Sequence, residues 1–268
     1  MKQSPAFSKE HSLYLKRLQQ KNVFINVMRF ALLGTLLAFW ELSAQLEWVN
    51  PFITSSPSRI IRTIADLYAN GNLLHHVWTT LWETLAGFSI AVTLGYSIAL
   101  LLWWSEIARK ISEPYVVVLN ALPKIALGPL IIIWFGTGSK AIVFMTVLIG
   151  LIVTILNMLN GFMATDENKI LLLRSMGATK LQILTKLVIP SSLPTFISML
   201  KINVGMAWIG SIMGEYIVSK AGIGYLIVYG GQVFKLDLVM SAVIILCILA
   251  AAMYALVSLL ERCVIKNK

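Results

Sequence analysis

Charge is scarce in this chain of 268 residues: aspartate and glutamate together number 12, and charged residues make up 13% of the sequence against 58% hydrophobic ones. A soluble domain of this length cannot bury that much apolar surface, and a mean hydropathy of +0.80 places the chain in a membrane. Cysteine is nearly absent as well. Cys247 and Cys263 lie in or beside the last apolar run without metal-type spacing, which excludes a disulfide framework and a cysteine-held metal. No G-x-x-x-x-G-K-[ST] stretch offers backbone N–H groups to a nucleotide phosphate. No Ser/His/Asp grouping and no cluster of His, Cys and acidic residues exists to serve a membrane-embedded enzyme. The adjacent His75 and His76 lack a third ligand. The expectation is therefore a chain without catalytic residues, metal site or cofactor of its own.

The net charge of +10 does not point to nucleic acid, because Lys and Arg sit at the edges of apolar runs and form no aromatic-interleaved patch. The opening residues are polar and mixed, unlike a cleaved signal peptide, so the first apolar run is expected to be retained.

A helix needs roughly 20 apolar residues to cross about 30 Å of hydrocarbon. By that measure the sequence predicts an all-α polytopic membrane protein with six spans, at about 23–46, 77–104, 114–139, 140–162, 194–217 and 238–262. They are flanked by an N-terminal segment 1–22, a loop 163–193 and a tail 263–268, in one domain without internal repeats. The first span tolerates Arg29 and Glu41 near its ends. The third carries Lys124 with Pro114, Pro123 and Pro129, and is expected to be kinked or broken. The fifth holds Lys201, Asn203 and Glu215 in a Gly-rich stretch suited to close packing.

With both termini on the cytoplasmic side, the inner segments hold fifteen basic residues and the outer ones only Arg59, Arg62, Lys140, Lys220 and Lys235. The positive-inside rule therefore predicts cytoplasmic termini. On the outer side, Ser58 is the expected N-cap of a short amphipathic helix with Ile60, Ile61, Ile64 and Leu67 on one face.

Loop 163–193 is too patterned for a connector. Asp166 is suited to cap a helix running to about Met176, Gly177 to take positive φ, and Thr179 to cap a second helix that ends at Pro190. The apolar Leu181, Ile183, Leu184, Leu187 and Val188 alternate with Lys180, Gln182 and Lys186, so this second helix lies either on lipid or in a protein groove.

The stretch resembles the EAA loop of type I ABC importer permeases, with Gly177 at the glycine, Leu187 at the Ile position, Ile189 at the Leu position and Pro190 at the proline. Arg174, Ser175, Met176, Gly177 and Ala178 continue like the common R-S-L-G-A, whereas Leu171, Leu172 and Leu173 replace Glu-Ala-Ala. The resemblance covers about residues 50–262. It is strongest to the nitrate/sulfonate/taurine branch, through PSPSRII, ALPKIALGPLIIIWFGTGSK and WIGSIMGEYIVSKAGIGYLIVYGGQVFKLDLV. It implies the type I permease fold, a homodimer in the bacterial inner membrane, two ABC ATPase subunits that bind ATP and Mg, and an extracytoplasmic solute-binding protein. It also implies that Arg174, Ser175, Met176, Gly177, Ala178, Thr179, Leu187 and Pro190 serve coupling to the ATPase. The implied cargo is a small anion such as an alkyl sulfonate, taurine or nitrate, with a thiamine-precursor-like heterocycle as the alternative.

Polar residues within the spans are candidates for the translocation pathway: Lys124, Asn120, Asn203 and Glu215. Lys124 either lines it or pairs with Glu83 or Glu215, and Lys201 lies near enough to a span end to snorkel. Asn157 and Asn160 are read as interhelical glue. An ion-gradient-driven carrier would show similar spans, but no inverted repeat supports it, and such a carrier has no need of a docking loop.

Overall fold

The computed structural model describes residues 9–265; the remaining ends of the terminal segments, with Lys2, Lys266 and Lys268, lie outside the described residues. Every described element is helical, and contacts divide the chain into two units, residues 1–62 and 63–268, where the sequence reads as one domain. In the first unit, α1 (Lys9–Gln45) begins well before the apolar run and is followed by α2 (Pro51–Thr54) and the start of α3 (Pro57–Ala69). The expected N-cap at Ser58 is corrected: the helix starts at Pro57, whose missing N–H and fixed φ suit the first helical position. Glu41 of α1 takes over the capping role, accepting the Ser58 N–H at 2.9 Å and the Ser58 hydroxyl at 2.8 Å.

The second unit is organised around α7 (Ser139–Met163), which packs along α4 (Leu73–Trp104) and α10 (Ile189–Val218). Close approach to α4 is bought by glycine. A Cβ on Gly87 would sit 2.4 Å from Thr146, and one on Gly95 would sit 2.5 Å from Thr154, so the same eight-residue step recurs on both helices. The Thr146 and Thr154 hydroxyls donate to carbonyls one turn back on α7, so these interlocked side chains leave no hydroxyl hydrogen unmet.

The break in the third apolar run comes at Pro123 alone. α5 (Glu106–Ala121) runs straight through Pro114, and Pro129 sits at the start of α6 (Gly128–Phe135), where a proline is tolerated. Leu122, pushed to an extended ψ of 131° by the proline that follows, ends α5, and the two segments are bent by 85°. Among the described residues, five helices are long and apolar enough to cross a membrane, or six if this bent pair forms one span.

Pro190 does not end the second loop helix. α8 (Glu167–Ser175) leads through a turn into α9 (Lys180–Ile183), which continues through a π-turn over Leu184–Val188 into α10. The Ile189 N–H reaches back five residues to the Leu184 carbonyl, and this widened turn makes room for a proline ring that would otherwise press on the carbonyl four residues earlier. One continuous helix therefore spans Lys180–Val218. α11 (Ile223–Gln232) and α12 (Leu236–Ile265) complete the unit and pack on each other.

Candidate functional site

At one end of the second unit, the turn between α8 and α9 is built as its sequence dictates. The Asp166 side chain accepts the Asn168 N–H at 2.9 Å and caps α8. Gly177 closes the helix with φ +80°, with its N–H on the Arg174 carbonyl and that of Ala178 on the Leu173 carbonyl, both 2.9 Å. This pair of bonds is the Schellman arrangement. Thr179 then starts α9 with a reciprocal capping box, Gln182 N–H to Thr179 Oγ1 at 3.3 Å and Thr179 N–H to Gln182 Oε1 at 2.8 Å.

The apolar face of α9 and the π-turn is inserted into protein, which decides against a helix resting on lipid. Ile183, Leu184 and Val188 are buried against Ala99, Met158, Phe162 and Met199, while Leu187 and Pro190 are half-buried. The outward side is unusual for a polar loop. Leu171, Leu172 and Met176 are 66%, 59% and 75% exposed, and Arg174, Ser175, Gly177 and Thr179 are exposed with them. Lys180 anchors the turn to the end of α4: its Nζ donates to the Trp104 carbonyl and lies 5.7 and 5.3 Å from the Trp103 and Trp104 ring centroids. A cavity of about 460 Å³ opens beside it, lined by Trp103, Glu106, Arg109, Arg174, Ala178 and Lys180 among others. Trp103 and Trp104 thus hold the loop, a role the sequence did not suggest.

The pathway candidates are not brought together. Lys124 Nζ donates to the Asn120 carbonyl at 3.1 Å, closing the end of α5 at the bend, and Asn120 itself is exposed. The expected alternative, a pair with Glu83 or Glu215, is not formed. Asn203 is buried midway along α10, where its Nδ2 donates to Thr154 Oγ1 of α7 at 3.0 Å. Asn157 bonds the Val153 carbonyl of its own helix and joins no neighbour. Lys201 forms an ion pair with Glu261 of α12, the two side chains being 22% and 32% exposed.

Glu215 stands at the opposite end of α10 from Thr179, in a set of contacts around the first turn of α11. Three consecutive N–H groups there are each received by a side chain of another helix. Gly222 donates to His76 Nδ1 at 3.0 Å, Ile223 to Thr80 Oγ1 at 2.7 Å, and Gly224 to Glu215 Oε2. His76 also stacks on Tyr225, with ring centroids 5.9 Å apart. Three of the four orphan donors of a helix start are thereby satisfied without a side-chain cap from Gly222. His76 and Thr80 lie 146 and 143 residues from the groups they receive, so no local pattern announces them; Glu215 lies nine residues from Gly224 but across the turn between two helices.

With the geometry in hand, the likenesses to known proteins are specific. Residues 91–266 match the family described as binding-protein-dependent transport system inner membrane component. The formylaminopyrimidine transport permease protein ThiX of Halalkalibacterium halodurans is 33% identical over 71% of this chain and 75% of its own length. The aliphatic sulfonates transport permease protein SsuC of Escherichia coli, a putative assignment by its own name, is 28% identical over 85% of this chain and 86% of its own. In fold, the chain is similar to a bacterial ABC transporter for import of the acidic polysaccharide alginate, with a TM-score of 0.64 at 13% identity, covering 94% of this chain and 97% of that one.

Proposed function

The chain belongs to the family of binding-protein-dependent transport inner-membrane components, and on that premise we propose that two copies of it form the translocation path of an importer and that each docks one ATPase through the α8–α9 turn. Members of this family are non-catalytic membrane subunits of ABC transporters and work with an ATPase and a solute-binding protein. The termini face the cytoplasm in this reading, following the bias of basic residues, so the α8–α9 turn and the ATPases lie on the same side.

The observation that carries the docking assignment is the exposed apolar crest of Leu171, Leu172 and Met176 on a turn whose other face is fixed in the core. Exposed apolar groups on a rigid support mark a surface that another protein covers. Arg174, Ser175, Met176, Gly177, Ala178 and Thr179 form the docked turn, while Leu187 and Pro190 carry its motion into α10. For cargo we propose a small anion of the alkyl sulfonate, taurine or nitrate kind, supported by the likeness to SsuC and by the Lys124 ammonium at the bend. Asn120, Asn203 and Glu215 are further candidates along the path. A pyrimidine precursor of thiamine is the second reading, favoured by the likeness to ThiX.

The test is ATPase turnover of the chain co-purified in lipid nanodiscs with the ATPase encoded beside it, with and without the binding protein, for wild type and Gly177→Pro. Proline cannot adopt the positive φ of this position, so stimulation by the binding protein is expected to collapse in the variant. If the chain neither co-purifies with an ATPase nor changes its turnover, an ion-gradient-driven carrier replaces the importer. Adding taurine or a formylated aminopyrimidine to the binding protein decides between the cargo classes.

A further inference from the structure

Glu83 of α4 and Glu215 of α10 are each 1% exposed, deep enough that neither carboxyl reaches bulk water. Their carboxyl groups lie within hydrogen-bonding reach of one another. Carboxylate oxygens only accept hydrogen bonds, so two ionised groups in this position would repel at short range with no solvent to screen them. Glu83 Oε2 and Glu215 Oε1 also meet no N–H or O–H donor from the surrounding chain. A hydrogen between the two side chains resolves both conflicts.

We propose that Glu83 and Glu215 form a proton-binding site, in which one hydrogen is held between the two carboxyl groups and the pair carries one negative charge.

The surroundings hold the pair in place and give it a single charge to accommodate. Glu215 accepts the Gly224 N–H, has the Thr80 hydroxyl within reach, and faces the first turn of α11, where the helix dipole favours an anion. Its seat is shaped for it, since a Cβ on Gly222 or Gly224 would stand 2.4 or 2.8 Å from its atoms. Glu83 has only the Ser139 hydroxyl of α7 besides its partner carboxyl. No cation takes the place of the proton. The neighbouring Lys140 and Lys220 are exposed, Tyr225 is engaged with His76, and the His76 nitrogen that faces α11 accepts the Gly222 N–H and so bears no hydrogen. The proton joins α4 to α10 directly beside the start of α11, and its loss would put two like charges into a dry contact.

This assignment stands on side-chain geometry and is independent of the cargo and of the ATPase. It is tested by infrared spectroscopy of the full chain in lipid nanodiscs at neutral pH, in H2O and D2O. A carboxylic-acid carbonyl band is expected in the wild type, shifted in D2O, and absent from Glu83→Gln, in which the amide donates to Glu215 without a titratable proton. Should Glu83→Gln fail to fold, Glu215→Gln is expected to lose the same band, and the wild-type spectrum decides regardless. Proton release offers a second readout: unfolding wild type at neutral pH in weakly buffered detergent is expected to release one proton per chain more than unfolding Glu83→Gln. Absence of the band from the wild type, its persistence in both single variants, or equal proton release would overturn the site.

Discussion

The carboxyl group of Glu215 occupies the space that a side chain on Gly222 would need, since a Cβ built there would lie 2.4 Å from the carboxyl carbon. Gly222 also has φ +112°, a conformation that L side chains rarely adopt. The strain and the overlap add, so Gly222→Ala is expected to destabilise the chain by about 2–5 kcal/mol. A fall of many degrees in the thermal unfolding midpoint of the detergent-purified protein is the expected result, and a midpoint within a degree of wild type would refute this packing.

Gly177 provides the contrast. Its φ is +80°, yet nothing lies within 4 Å of a Cβ added there. Gly177→Ala therefore carries backbone strain alone, about 1–2 kcal/mol. That lowers the ratio of formed to unwound turn by roughly 5–30-fold if the strain is relieved by local unwinding. Binding-protein-stimulated ATPase turnover is expected to drop, by up to that factor, while the global unfolding midpoint stays in place. A variant that loses both together would show that the turn supports the fold and does not act in coupling.

Lys201 and Glu261 tie α10 to α12 in a setting that is mostly shielded. Removing one partner strands the other, so Lys201→Met is expected to destabilise by about 1–3 kcal/mol, with most of that recovered in Lys201→Met/Glu261→Gln. The comparison is a double-mutant cycle by chemical unfolding in detergent. Strict additivity would mean that the two side chains do not interact.

Asn203 and Thr154 make a smaller contribution. The Nδ2–Oγ1 bond is buried and Nδ2 also donates to Met199 one turn back, but Asn203 Oδ1 has no donor, so replacing the amide relieves one unmet group as it removes the interhelical bond. A coupling of about 0.6 kcal/mol is expected between Asn203→Leu and Thr154→Val. A value above 2 kcal/mol would assign the pair a larger part in holding α7 to α10.

The parts of this fold that were legible in the sequence are those set by near neighbours. Uninterrupted apolar runs gave the long helices, and Asp166, Gly177 and Thr179 marked the caps at the α8–α9 turn, because a cap needs only residues within one turn. Proline was a poorer guide. Pro114 and Pro190 lie inside helices and Pro123 breaks one, a difference that depends on whether the preceding turn can widen, as at Leu184–Val188, or the chain leaves the helix, as at Leu122. Ser58 was misread because the group that caps its helix, Glu41, lies on another helix. The same holds for His76, Thr80 and Glu83, which acquire their partners only when α4 meets α10 and α11. Their chemistry follows from tertiary contact, and no spacing along the chain encodes it.

The continuity of the helix through Pro190 has a mechanical meaning. Over the 39 residues from Lys180 to Val218 the helix is unbroken, and at about 1.5 Å per residue its path is roughly 58 Å long. A push or twist applied at Thr179 therefore meets helix and no loop on its way to Glu215 and the first turn of α11, with the π-turn at Leu184–Val188 and Pro194 as the places where the helix can bend.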